Sequence, residues 1–463
     1  MDSARRHIRM QEFTIYTLYL QKNLQIGLIN GKTRGILTLP THRKEVPPML
    51  LEFVCSNHKS IRSEVLFSTL AGRDTTYEER TYEVAGIRPL KAAVIYGANG
   101  SGKSNVIDAI SFVKSLVTNS INHQPGQGIR QLPHKLDGFD KESSYKIQFV
   151  TKGIRYVFGF SLKKMIVSDE YLYYFPNNRQ TKIFERSGEK FTAGSKFRGK
   201  FSACKDVIKP NRLLLSCAAN FSSVQEVADA YAFFRNELVV YGPANQDNWM
   251  NYSLYQMNNN PKMKAAVIAF LAELGTGIKD IQVSIDQKKL ESAELPPFLS
   301  DEFKALLLQR DVDAITAKVK YENFETDLIQ EESTGIKKLF AILCPIIDIL
   351  VNGKVLICDE LESSLHESLV YGLVKLFINS ETETFPQMIF TTHETGLLNL
   401  DLFRRDQIWF TELTKDERST DLYSLAEIKN VRKEENFGKG YIAGKYGAIP
   451  MLNLDFANIV SQM

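Results

Sequence analysis

The sequence predicts an α/β protein with a mixed β-sheet, interrupted by a mainly helical insertion. Three observations carry that expectation. The apolar run Ala92 to Tyr96 leads through a glycine-rich turn into a stretch where Val106, Ile110, Val113 and Val117 recur at helical spacing, a strand–turn–helix unit. A second apolar run, Val355 to Cys358, ends in an acidic pair and is followed by another helical pattern. Between these, period-two runs in residues 145–175 predict an antiparallel sheet, and residues 224–300 look largely helical.

The chain begins with a segment of different character. Residues 1–48 are rich in Arg, Lys and His and end in a turn at Pro47-Pro48, so they are assigned to an N-terminal extension. From Met49 the pattern MLLEFVCSNHKSIRSEVLFSTLAG reads as two strands around a polar break. Residues 49–175 are taken as the first part of the main domain and 176–315 as a basic and helical insertion. Residues 316–463 are taken as the second part of the main domain.

Composition narrows the class. A length of 463 residues allows two or three domains, and 44% hydrophobic with 24% charged residues is ordinary for a globular protein. A net charge of +3 does not mark the whole chain as a polyanion binder. The five cysteines have no CxxC spacing and predict buried thiols in a reducing cytoplasm rather than disulfides or a zinc site. No apolar run is long enough for a membrane span, and no secretory signal is expected.

Four motifs carry chemistry. Gly97-Ala98-Asn99-Gly100-Ser101-Gly102-Lys103-Ser104 fits GxxxxGK[ST], where backbone N–H groups and a helix N-terminus cradle phosphates. Lys103 then reaches the β and γ phosphates and Ser104 ligates Mg²⁺, with Asn105 next in the helix. Asp359 and Glu360 end the second apolar strand, Asp359 suited to Mg²⁺ and Glu360 to orienting an attacking water. Ser333, Gly335 and Lys337 open the apolar helix IKKLFAILCPIIDIL, with Ser333 as N-cap and Pro345 expected to kink it. His393 ends the strand QMIFTTH. Alone, the last three have ordinary readings: a buried strand, a capped helix, a structural histidine. Their order along one chain favours a site. His366 is open between a helix cap and an interface residue, and Gln148 is a weak candidate for a further loop contact. The guanine-reading NKxD sequence is absent, which favours adenine.

The ordered set GANGSGKS, ESTGIKK, VLICDELESSLH and TTH resembles the SMC/OLD branch of ABC-type ATPases. The segments MLLEFVCSNHKSIRSEVLFSTLAG, RRDQIWFTE and KGYIAGKYGAIP are similar to bacterial abortive-infection ATPases of anti-phage defence, and the layout resembles the AriA-type ATPases of PARIS systems. The resemblance covers roughly residues 49–450. It implies an ABC-type P-loop head with ATP and Mg²⁺ as cofactors. Ser333, Gly335 and Lys337 then contact the γ-phosphate held by a second copy, and His393 senses that phosphate. It also implies head-to-head dimers, higher homo-oligomers, a separately encoded effector such as a Toprim nuclease, and a phage trigger protein. Only about 230 residues separate P-loop and signature, without heptads, so long coiled-coil arms are not expected. The 70 residues after His393 leave no room for a fused Toprim domain.

The expected function is an ATP-hydrolysing sensor in defence. The alternatives are an ATPase that clamps DNA, using Lys182, Arg186, Lys190, Lys196, Arg198, Lys200, Lys205, Lys209 and Arg212, and a nucleotide-gated scaffold with slow turnover.

Overall fold

The computed structural model describes residues 46–84, 86–242, 246–289, 311–363, 365–379, 384–432 and 435–449. Apart from its last three residues, the N-terminal extension lies outside them. Two compact units are present: one runs through Tyr241 and resumes at Leu350, and the other is Gly242–Ile349.

In the first unit the chain forms β1 (Met49–Ser56), β2 (Val65–Ser68), β3 (Ala92–Gly97) and helix α1 (Lys103–Asn119). It continues with β4 (Ser143–Thr151), β5 (Ile154–Lys163), β6 (Ile166–Tyr174), β7 (Thr181–Ser187) and β8 (Lys190–Ala193). Helices α2 (Leu214–Phe221) and α3 (Gln225–Ala232) lead to β9 (Leu238–Tyr241). The second unit holds α4 (Gln246–Asn259), α5 (Pro261–Glu273), β10 (Asp280–Lys289), β11 (Asp311–Lys320), β12 (Glu325–Asp327) and most of α6 (Thr334–Asn352). The first unit then resumes with β13 (Val355–Cys358), α7 (Glu367–Ile378), β14 (Gln387–Thr391), β15 (Ile408–Leu413), β16 (Thr420–Ser424) and α8 (Phe437–Ile442).

The first unit contains two sheets. One is antiparallel, in the order β2-β1-β4-β5-β6-β7-β8, and follows from the alternation of inward apolar and outward polar residues. The other is mixed, in the order β16-β15-β3-β14-β13-β9; β15, β3, β14, β13 and β9 are parallel and β16 is antiparallel to β15. Helix α1 lies between them. Its Val106, Ile110, Val113 and Val117 share one core with Ile95 of the mixed sheet and with Phe53, Ile147, Phe149 and Phe158 of the antiparallel one. The expected α/β class with a mixed sheet is therefore present.

Two sequence expectations are corrected. Residues 280–289 are a strand, not helix: Ile281, Val283 and Ile285 alternate in DIQVSIDQKK, and β10 pairs antiparallel along its whole length with β11. Residues 290–310 lie outside the described residues. The basic stretch after residue 176 opens as β7 and β8, further strands of the antiparallel sheet, because Ile183 and Phe184 bury into the core of the first unit. Composition placed the change of domain at 176 and 316; the compact units divide at 242 and 350.

Pro345 leaves helix α6 running as a single element. Proline has no N–H for the carbonyl four residues earlier. Ser253 supplies the missing donor, its Oγ bonding Ala341 O at 2.8 Å.

A buried ion pair closes the antiparallel sheet against the loop that follows it. Glu170 and Arg186 are both fully buried, 3.4 Å apart. Glu170 accepts the N–H groups of Leu214 and Leu215 at 2.6 and 2.8 Å, satisfying donors at the start of α2. Arg186 donates to the carbonyls of Gly188, Lys209 and Arg212. Replacing Glu170 with Ala strands the guanidinium and the helix N-terminus, so we expect a loss of about 3–5 kcal/mol in chemical denaturation of the first unit. A loss below about 1 kcal/mol would show the pair to be dispensable.

Candidate functional site

The carboxyl ends of β3, β13 and β14 build the site. Parallel pairing sets Ile95 opposite Thr391 and Phe390 opposite Cys358, so the residues that follow each strand emerge at one edge. Gly97 ends β3; Asn99 and Gly100 are exposed; Ser101, Gly102 and Lys103 are buried, and Lys103, Ser104 and Asn105 begin α1.

Close packing explains two of the glycines. A Cβ on Gly97 would stand 2.4 Å from both Ser101 Oγ and Thr411 Oγ1, and one on Gly102 would stand 2.0 Å from Thr420 Oγ1. Gly102 also has φ 107°, a conformation that L side chains rarely adopt. The loop is clamped by hydroxyls from outside it. Ser101 Oγ bonds Thr411 Oγ1 at 2.6 Å, and Thr420 Oγ1 donates to Ser101 O at 3.1 Å. Ser60 Oγ bonds Thr420 Oγ1 at 2.6 Å and accepts Asn105 Nδ2.

Lys103 turns back onto its own loop, donating to Gly97 O at 2.7 Å and Ala98 O at 3.1 Å. Burial pushes its pKa down to about 8, against the pull of Asp359, Glu362 and Glu360 upward. Ser104 Oγ donates to Asp359 Oδ1 at 3.1 Å, and Thr391 Oγ1 donates to the same oxygen at 2.7 Å. Glu360 adopts φ 51°, and its N–H donates to Thr391 Oγ1 at 2.8 Å. His393 is exposed and its N–H donates to Glu362 Oε1 at 2.7 Å. Partial desolvation, then Lys103, holds the His393 pKa below its ordinary value, opposed by Glu362, Glu360 and Asp359.

Lys103, Ser104, Asp359, Glu360 and His393 thus lie near one another at this edge of the sheet. Ser333, Gly335 and Lys337 lie in the other compact unit, at the start of α6; Ser333 caps it, its Oγ accepting Ile336 N–H at 3.3 Å. His366 is a helix cap: its Nδ1 accepts Ser368 N–H at 3.2 Å. Gln148 sits mid-strand in β4, opposite Glu52 and Val157. In the basic stretch, Arg186 is buried, Arg212 is bonded to His123 O and Lys182 pairs with Glu185; Lys190, Lys196, Arg198, Lys200, Lys205 and Lys209 are exposed.

Sequence reasoning missed Ser60, Thr411, Thr420, Thr391 and Glu362. Thr391 alone offered a signal, as a hydroxyl closing a mainly apolar strand. Ser60, Thr411 and Thr420 become visible only once β15 pairs with β3 and the β1–β2 turn packs beside it, and Glu362 only once β13 lies beside β14.

The residues fit a triphosphate with a small divalent cation. Ser104 hydroxyl and Asp359 carboxylate converge as hard oxygen donors, and the loop that Lys103 closes on itself is a cradle for an anion. Among the described residues no group of three or more His, Cys, Asp or Glu could hold a metal by itself.

A strand, phosphate loop and helix, with an acidic pair on a neighbouring parallel strand, define a P-loop domain of the nucleoside-triphosphatase class. The chain belongs to the family described as "AAA domain, putative AbiEii toxin, Type IV TA system", whose model matches residues 92–202 and 272–399, just over half of the sequence. No curated protein matches it. Among solved structures it is similar to the SMC head bound to the C-winged helix domain of ScpA, at TM-score 0.40 and 14% identity, covering 81% of this chain and 97% of that one. It is similar also to the SMC head domain from Thermotoga maritima, at TM-score 0.35 and 14% identity, covering 81% of this chain and 98% of that one. A third is an SMC head with an extended coiled coil bound to the C-terminal domain of ScpA derived from Pyrococcus furiosus, with TM-score 0.35, 14% identity and coverage of 81% and 96%. No helix among the described residues is long and apolar enough to cross a membrane.

The Lys103 environment predicts a pH dependence. The ammonium is the form that attracts phosphate, and a bound phosphate raises its pKa above about 8. Affinity for a fluorescent ATP analogue should therefore be level up to about pH 7.5 and fall by up to about tenfold per unit above pH 8. Lys103→Arg should flatten that slope; an identical slope in the variant would assign the titration elsewhere.

Proposed function

We propose that this chain is an ATP-hydrolysing P-loop protein whose catalytic site is completed by a second copy. It acts as the sensor or regulator of an anti-phage defence module with a separate effector. The observation that carries the ATPase reading is the convergence of Lys103, Ser104, Asp359, Glu360 and His393 at one sheet edge. ATP is favoured over GTP because the sequence lacks a guanine-reading motif.

Mg²⁺, held by Ser104 and Asp359, would neutralise phosphate charge. Lys103 exchanges its bonds to Gly97 O and Ala98 O for phosphate oxygens, so an anion replaces carbonyls already gathered around a cation. Glu360 orients the attacking water, and its conformation with φ 51° is one that a bound state would exploit. His393, held neutral by its surroundings at pH 7, meets the terminal phosphate as a hydrogen-bond partner. Ser333, Gly335 and Lys337 are assigned to the site of the second copy. Ser333 is exposed and Gly335 and Lys337 are half-buried, so the start of α6 is available to such a contact.

The defence reading is supported by the family's description as an AbiEii toxin of a type IV system, and by the resemblance of the flanking segments to abortive-infection ATPases. A nuclease of Toprim type is the effector we favour. Purification of the full chain with its flanking genes in ATP and Mg²⁺, followed by mass spectrometry, tests this. A stoichiometric nuclease supports it, whereas nuclease-sensitive nucleic acid without a protein partner points to DNA clamping.

Two variants test the catalytic assignment. Glu360→Gln should slow ATP turnover by about 100-fold or more and trap a nucleotide-bound dimer visible by light scattering. Unchanged turnover with no dimer would remove Glu360 from the reaction. Ser333→Arg should lower turnover by about 100-fold while nucleotide affinity stays within about threefold. Equal loss of both would mean that the site is not shared between copies.

A further inference from the structure

We propose that Thr391 is a positioning residue: its hydroxyl sets the Asp359 carboxylate and the Glu360 backbone as one unit. The proposal rests on the reading that Asp359 serves the metal and Glu360 the attacking water. Thr391 closes β14 and is completely buried. A backbone N–H can only donate and an ionised carboxylate only accept, so the direction of both bonds is fixed. Thr391 Oγ1 accepts from Glu360 N–H at 2.8 Å and gives its single proton to Asp359 Oδ1 at 2.7 Å.

The bonds act at a turn with a left-handed backbone. Glu360 has φ 51°, which a residue with a Cβ holds only when its surroundings enforce it. Leu361 N–H also donates to Thr391 O at 3.3 Å, and His393 N–H to Glu362 Oε1 at 2.7 Å. The turn after β13 is thereby laced to the end of β14 from Asp359 through Glu362. Thr391 is the one side chain in that lacing that touches both acidic residues. Because Ser104 Oγ donates to the same Asp359 oxygen, the hydroxyl also fixes which face of the carboxylate meets the P-loop helix.

Valine matches the shape of threonine but can neither donate nor accept. Thr391→Val frees the Asp359 carboxylate to rotate and leaves the Glu360 N–H without its acceptor. A displacement near 1 Å at a reacting group costs on the order of 100-fold in rate. Serine retains the hydroxyl and serves as the rescue.

The test uses the full chain and two readouts: steady-state ATP turnover, and the Mg²⁺ dependence of fluorescent ATP-analogue binding. T391V should lower kcat by about 30- to 100-fold with KM within about threefold, and raise the half-saturating Mg²⁺ concentration several-fold. Binding without Mg²⁺ should be unchanged. T391S should restore kcat and Mg²⁺ dependence to within about threefold of the parent. Parental kcat and Mg²⁺ dependence in T391V would overturn the proposal, as would a T391S protein as defective as T391V, which would make the role one of packing. If Glu360→Gln turns over like the parent, the hydrolysis reading fails on its own. The Mg²⁺ titration then decides for Thr391: a shift restored by serine upholds its hold on Asp359, and a parental curve refutes it.

Discussion

Register between parallel strands is the constraint on which the site depends. β3, β14 and β13 lie side by side with Ile95 opposite Thr391 and Phe390 opposite Cys358, so their carboxyl ends are level. Ligands of open α/β sheets bind beyond such ends, because only there do loops from several strands meet. A shift of one residue in any pair would turn Asp359 or Thr391 to the other face of the sheet. The buried side chain of Gln387 helps to fix the opposite end of β14. It accepts Leu50 N–H at 2.9 Å and donates to Leu50 O and Leu90 O at 3.1 and 3.0 Å, tying the mixed sheet to the antiparallel one. Core contact alone is non-directional; these bonds are directional and set which layer of β14 faces which neighbour.

Polar groups at the site are held by hydroxyls rather than by ion pairs. Ser60, Ser101, Thr411 and Thr420 join the P-loop to the β1–β2 turn and to the β15–β16 hairpin, and Thr391 joins the acidic turn to β14. A hydroxyl can donate and accept at once, adds no charge, and so leaves the field at the loop to Lys103 and the carboxylates. The result is a buried lysine whose pKa has moved down to about 8 even with three acidic side chains pulling it upward. Desolvation is the larger influence there. A bound anion would relieve it, since it supplies at contact distance the charge that the more distant carboxylates supply only in part.

Legibility in the sequence followed the range of the interactions involved. The P-loop, the acidic pair and the strand that leads to His393 are local patterns, each contained within one strand and its following turn, and the structure brings them to one edge. The helical face of α1 was readable for the same reason, its apolar residues repeating every three or four positions. Strand β10 was not, although Gly275 and Gly277 break the chain after the preceding helix, because its partner β11 begins more than twenty residues after it ends. The clamp residues Thr411 and Thr420 were invisible, since nothing in the run from Ile408 to Ser424 says that this hairpin joins the sheet beside the P-loop strand. The neighbours of His366 along the chain leave it open between a cap and an interface residue; its Nδ1 caps α7.

The helix capped by Ser333 shows how the second unit reconciles an awkward sequence with a continuous element. Pro345 falls within a stretch buried from Lys338 to Ile347, where an unpaired carbonyl would be costly. Ser253 of α4 removes that cost by bonding Ala341 O, the acceptor that proline abandons. At the helix start, Glu332 is fixed by Tyr321 Oη at 2.8 Å and by Thr326 Oγ1 at 2.5 Å, while Ser333 caps the first turn. The carbonyl that Pro345 leaves is satisfied, and Glu332, just before the N-cap, is tied to β12. These bonds hold the start of α6, where the proposed contact with a second copy falls.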